Sequence, residues 1–212
     1  MYQGRGSLAL RRVAAFVSVL LVACASTVPR RSSEWIDPSL GPNSGILRGA
    51  RVVVACESWD LSMRQTCQDS LSRQLQARGA IPVSPPDSAL AASGRELDSQ
   101  LMAVAANAGA RGVMVVALTP TLTSSGFSGA SIGIGGFSWG GSGGAGIGLS
   151  APIGGTGWGS TGIAAQARIT DVPTARLVWS TTFVGSSSAD FTTQLRDLTG
   201  AVLNAAQGAG LL

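Results

Sequence analysis

Histidine and lysine are both absent from this 212-residue chain, and only 12% of its residues carry charge. Without histidine the chain lacks the side chain that titrates near neutral pH and the commonest metal ligand. Ser-His-Asp and Cys-His nucleophile activation and histidine-based metal sites are therefore excluded. Aromatic residues are scarce at 5%, and every one of the 15 cations is arginine, set against 11 acids for a formal net charge of +4. The length accommodates one domain of ordinary size with appendages. No Gly-Lys-Ser/Thr is present, and neither Gly133–Gly136 nor Gly154–Gly159 runs directly into a helical pattern, so a phosphate-cradling loop is not expected. No cofactor and no metal ion are implied.

The amino-terminal residues are more informative. Arg5, Arg11 and Arg12 precede an apolar run from Val13 to Ala23, interrupted only by Ser18 and ending at Cys24. A charged segment followed by so short an apolar run has the anatomy of an export signal and is too short to span a bilayer as a helix. Leu21-Val22-Ala23-Cys24 resembles the lipobox of bacterial lipoproteins, in which the cysteine becomes the first mature residue and carries the lipid. The resemblance implies a signal peptide over 1–23, lipidation at Cys24 and attachment to a membrane. Ala25, where enterobacterial lipoproteins retained at the inner membrane have aspartate, implies the outer membrane with the domain facing the periplasm. Removal of 1–23 leaves 12 arginines against 11 acids. A chain so near neutrality lacks the clustered cations that nucleic-acid binding needs.

Cys56 and Cys67 are the two remaining thiols, and in an oxidising compartment they suggest one disulfide. The alternatives are two buried free thiols and thiol chemistry, for which no histidine is present to activate sulfur.

Residues 24–47, with Pro29, Pro38 and Pro42 and no sustained period, read as a flexible tether, and 48–212 as the folded domain. Arg51–Cys56 predicts a buried strand. Ser62-Met63-Arg64-Gln65 reads as a capping box opening a helix with Met63, Cys67, Leu71 and Leu75 on one face and Gly79 after its end. Ala80–Val83 predicts a second strand, and Ser93-Gly94-Arg95-Glu96 a second capped helix with Leu97, Leu101, Val104 and Ala105 inward. Gly112–Leu118 is apolar on both faces, which predicts a central strand. Ile163, Ala165, Ala167 and Ile169 alternate with polar or small residues, as do Leu177, Trp179, Thr181 and Phe183, with Asp171-Val172-Pro173-Thr174 between them. This pattern predicts an antiparallel hairpin with one covered face. Phe191, Leu195, Leu198 and Val202 form the stripe of a last helix ending at Gly208. The fold class is α/β, an α+β arrangement on one mixed sheet in a single domain, in the order β-α-β-α-β, insertion, β-β-α.

Ala108-Gly109-Ala110-Arg111-Gly112-Val113-Met114-Val115-Val116, together with Thr170-Asp171 and Arg176-Leu177-Val178-Trp179-Ser180, is similar to segments of envelope lipoproteins. These are the curli secretion channel subunit, the penicillin-binding-protein activators and the N-terminal domain of the Tol periplasmic protein. The resemblance covers about 48–212 apart from the insertion. It implies a non-enzymatic domain that binds envelope proteins or self-associates.

Gly126–Gly162 holds 16 of the 29 glycines, and no residue from Gly112 to Ala167 is charged. Ile132, Ile134, Phe137 and Trp139 on one arm, and Ile147, Leu149 and Ile153 on the other, alternate with small residues, with Trp158 beyond. The preferred reading of 126–162 is a glycine-rich loop or spacer that contacts a partner. The alternative is a hairpin over 127–158 that enters the outer membrane and closes into an oligomeric secretion pore, since a lone hairpin would leave edge groups unsatisfied in hydrocarbon. Against it, Pro152 removes a ladder donor. Two carboxylate pairs, Glu57 with Asp60 and Glu96 with Asp98, read as a loop and a solvated first helical turn and not as hydrolytic dyads.

Overall fold

The computed structural model describes residues 28–41, 43–122, 161–185 and 190–212. The strands are β1 (Arg30–Ile36), β2 (Arg51–Glu57), β3 (Ile81–Val83), β4 (Gly112–Leu122), β5 (Thr161–Asp171) and β6 (Arg176–Val184). The helices are α1 (Leu61–Ala77), α2 (Gly94–Asn107) and α3 (Phe191–Gly208). The six strands form one mixed sheet in the order β1-β6-β5-β4-β2-β3. The β2, β3 and β4 strands are parallel, and β4, β5, β6 and β1 follow antiparallel. This is the expected α/β class, with β4 central as its two-sided apolar run requires.

Strand alternation divides the core into two layers. Val52, Val54, Met114, Val116, Ile163, Ala165, Ala167, Ile169 and Trp179 meet α1 and α3 on one face. Val53, Ala55, Val113 and Val115 meet Leu97, Leu101 and Ala105 of α2 on the other. Between α1 and α3 the apolar contact is broken by a small polar network. The Ser70 and Thr199 hydroxyls lie 2.9 Å apart, and Gln74 donates to Thr199 Oγ1 at 2.9 Å.

The largest departure from expectation concerns 24–47. Far from being a tether throughout, this stretch contributes β1, which pairs with β6 from Arg30↔Val184 to Ile36↔Trp179. Its fit is chemical as well as topological. The buried Trp179 indole N–H donates to Glu34 Oε1 at 3.1 Å, and Thr181 Oγ1 donates to the Ser33 carbonyl at 2.8 Å. The turn after β1 is tied down by Asp37, which accepts from the Ser39 backbone and hydroxyl and pairs with Arg176 at 3.1 Å. Leu47 is fully buried, and its side chain occupies the space a Cβ on Gly112 would need. The folded part therefore begins at β1 and not at residue 48. An exposed strand that is polar from Arg30 to Glu34 and then has Trp35 and Ile36 side by side shows no apolar alternation, so period alone missed it.

The helix ends differ in detail. Helix α1 starts one residue before Ser62. Its N-cap is Asp60, which accepts from the Met63 N–H at 2.8 Å and from the Ser62 hydroxyl at 2.6 Å. Ser93 occupies the N-cap position of α2 without a side-chain cap bond. The Gly94 N–H is satisfied instead by Glu57 Oε1 of β2, at 3.1 Å. Helix α3 runs through Gly208, and the positive φ that terminates it belongs to Gly210, at +73°. Gly79 does lie just past α1, where it and Ala80 return hydrogen bonds to Gln76 and Leu75.

Candidate functional site

Of the residues singled out in the sequence, Cys56 and Cys67 are joined in a disulfide across 11 residues, linking the end of β2 to α1. Cys24 lies outside the described residues. So do Ile132, Ile134, Phe137, Trp139, Ile147, Leu149, Ile153 and Trp158.

The carboxylates that stand close together in sequence are divided among other tasks. Asp98 and Glu57 converge on Arg168 of β5, whose side chain is only 8% exposed. Arg168 directs Nε and Nη2 to Asp98 Oδ1 at 3.2 and 2.7 Å, and Nη2 stands 3.8 Å from Glu57 Oε2. Asp98 is thus not in a solvated helical turn, and the second face of β5 is buried as well, since Arg168, which reaches across to Asp98 of α2, and Thr170 are both buried. Sequence periodicity put Arg168 on the polar side of β5, and a pairing 70 residues away cannot be read from period. Glu96 remains exposed beside Gln100.

Asp60 is an acceptor, and donation from the Ser62 hydroxyl and the Met63 N–H holds its carboxyl below the ordinary value. Asp190 caps α3 in the same way, through the Thr193 hydroxyl and N–H and the Thr192 N–H, with the same direction of shift. Each of these groups is an ionised cap, the reverse of what a general acid at neutral pH requires. No cluster of three or more His, Cys, Asp or Glu suited to a metal ion occurs among the described residues.

A second feature is the end of the sheet at which β2 and β4 finish. Because β6 runs parallel to β4 and β1 antiparallel to β6, one row across the sheet contains Thr119, Ala164, Val184 and Arg30. The chain enters β1 at this end, the turns into α1 and α3 leave from it, and β4 and β5 project beyond the row as a paired ribbon to Leu122↔Thr161. Exposed apolar side chains gather here. Trp59 is 75% exposed in the β2–α1 turn, and Leu61 56% exposed at the first position of α1. Val28 precedes β1, and Phe191 opens α3. Phe191 therefore does not join the buried stripe of Leu195, Leu198 and Val202. The clue to this end was present in the sequence, since Trp59 stands in a polar turn and Leu61 lies off the Met63-Cys67-Leu71-Leu75 face.

No described helix is long and apolar enough to cross a membrane. No protein-family model matches the chain, and no curated protein does. Among solved structures the chain is similar to the PelC dodecamer from Paraburkholderia phytofirmans in two crystal forms. In one the identity is 16%, the TM-score 0.48, and the match covers 82% of this chain and 95% of that one. In the other the identity is again 16%, the TM-score 0.46, and the coverage 81% and 95%. A further similar structure is the lipoprotein GNA1162 from Neisseria meningitidis, with 16% identity, a TM-score of 0.37 and coverage of 74% and 98%.

Proposed function

We propose that this chain is a non-enzymatic, lipid-anchored component of the bacterial cell envelope that binds or assembles with other envelope proteins. The observation that carries the reading is Leu21-Val22-Ala23-Cys24 placed directly after an arginine-flanked apolar run. Residues 1–23 direct export, Cys24 carries the lipid, and the domain faces the periplasm from the outer membrane. Several acyl chains on one cysteine hold a protein permanently, because each buried methylene contributes about 0.8 kcal/mol. The Cys56–Cys67 disulfide supports export, since such bonds persist in oxidising compartments. The division of Glu57, Asp60 and Asp98 among internal partners supports a binding role over hydrolysis. With β1 part of the sheet, the segment left to act as a tether is 24–29.

The test is the mass and fractionation of the chain recovered from cells. Acylated protein beginning at Cys24 in the outer-membrane fraction is the expected result. A Cys24→Ser chain that remains membrane-bound and processed as before overturns it.

A second reading, an oligomeric secretion pore with a membrane hairpin over 127–158, draws on the register of β4 and β5. The connection 123–160 joins neighbouring antiparallel strands whose pairing continues to Leu122↔Thr161. Detergent-solubilised protein that is only monomeric, with 123–160 cut by protease in intact outer membranes, sinks the pore and leaves a loop.

A further inference from the structure

We infer that the end of the sheet carrying Trp59, Leu61, Val28 and Phe191 rests on the lipid bilayer, so that the domain stands with its strands directed away from the membrane. This deepens the proposal of acylation at Cys24 and rests on it. The first argument is chain length. Arg30 stands six residues after Cys24, and six steps at about 3.3–3.6 Å each span roughly 20 Å. Arg30 lies in the row of Thr119, Ala164 and Val184, while the opposite end of the sheet, at Gly112↔Asp171, is seven residues further along β4. At about 3.3 Å per strand residue that adds over 20 Å. A lipid on Cys24 therefore brings this end to the membrane and leaves the other beyond its reach.

The second argument is what this end displays. Of the seven large hydrophobic side chains exposed among the described residues, these four lie at this end, and they come from three separate chain segments. Trp59 suits an interface in particular, because an indole has an apolar body and a polar N–H and settles at the headgroup level. Of the carboxylates at this end, Asp60 and Asp190 are engaged as helix caps and Glu57 with Arg168 and the Gly94 N–H, while Asp87 stands exposed in the β3–α2 connection.

Acylated protein, its lipid first verified by mass, is reconstituted in phosphatidylethanolamine–phosphatidylglycerol vesicles containing brominated lipid. Trp59→Phe is expected to lower the quenched emission by roughly a fifth or more, Trp59 being one of five tryptophans, whereas Trp35→Phe, near the other end of β1, leaves it unchanged. In an unacylated chain beginning at Ala25, Trp59→Ser with Leu61→Ser is expected to weaken sedimentation with the same vesicles roughly tenfold or more. Both side chains are exposed, so the urea midpoint stays unchanged and reports folding independently. Quenching lost through Trp35, or insensitive to both changes, overturns the proposal. So does Trp59 that is unquenched by lipid yet shielded from acrylamide in intact envelopes, which would assign the surface to a protein partner. A recovered chain without lipid overturns acylation, while sedimentation of the unacylated chain still reads this surface.

Discussion

Arg168 on β5 and Asp98 on α2 meet at 2.7 Å beneath the helix, and this contact fixes α2 to the sheet at a point where apolar packing has run out. Glu57 joins the pair from β2 and also holds the first N–H of α2, so one cluster of charge serves three elements.

Removing the cation alone should be costly. Arg168→Met leaves the half-buried Asp98 and Glu57 facing each other without their cation, and breaking such a pair from one side destabilises by about 1–3 kcal/mol, less than for a fully buried pair. Urea denaturation should show this loss. Asp98→Leu added to Arg168→Met should recover a large part of it, and a double-mutant cycle showing no coupling would contradict the role given to the pair.

The disulfide closes a short loop between a strand end and the following helix. On the chain-entropy model, replacing Cys56 and Cys67 by alanine should lower stability by about 2–3 kcal/mol. Equal urea midpoints for the oxidised and reduced protein would show that the bond adds nothing.

Two glycines near the end of α3 should respond in opposite directions. An added Cβ at Gly210 would come within 2.5 Å of the Asn43 backbone nitrogen, at a φ of +73°, so Gly210→Ala should cost more than about 1 kcal/mol. Gly208 has nothing within 4 Å of the same position, and Gly208→Ala should gain a few tenths to about 1 kcal/mol in thermal or urea unfolding.

Acid should weaken the protein through Asp37, Asp60 and Asp190. The Ser39 N–H and hydroxyl, with Arg176 behind them, hold the Asp37 carboxyl below its ordinary value, and the hydroxyl and N–H donors at the two helix caps do the same for Asp60 and Asp190. Folded values lie below unfolded ones, so their stabilisation is complete above the unfolded value, about pH 4, and is lost as pH falls through the folded values. Urea midpoints followed from about pH 5 to about pH 2 should decline. Asp37→Asn should flatten that decline, and an unaltered slope would contradict the assignment.

Much of the fold was legible because its signals are local. The Val52–Val54 run, the four-residue spacing from Met63 to Leu75, and the alternation of Ile163, Ala165, Ala167 and Ile169 each follow from burying one face of a regular element. The expectation of export, which leaves Cys56 and Cys67 as the two remaining thiols, made their bond readable too. Other features depend on partners distant in sequence. β1 is a strand because β6 offers it an edge and Trp179 needs an acceptor, which Glu34 supplies from 145 residues away. Glu57 caps α2, and Arg168 is buried, only because the strand order β5-β4-β2 carries both under that helix. The absence of histidine and the apolar run into Cys24 set the chemistry and proposed address of this protein by composition and local pattern alone. Which end of the domain gathers Trp59, Leu61, Val28 and Phe191 was decided by the tertiary structure, because strand direction, and not sequence neighbourhood, brings three distant segments to one end of the sheet.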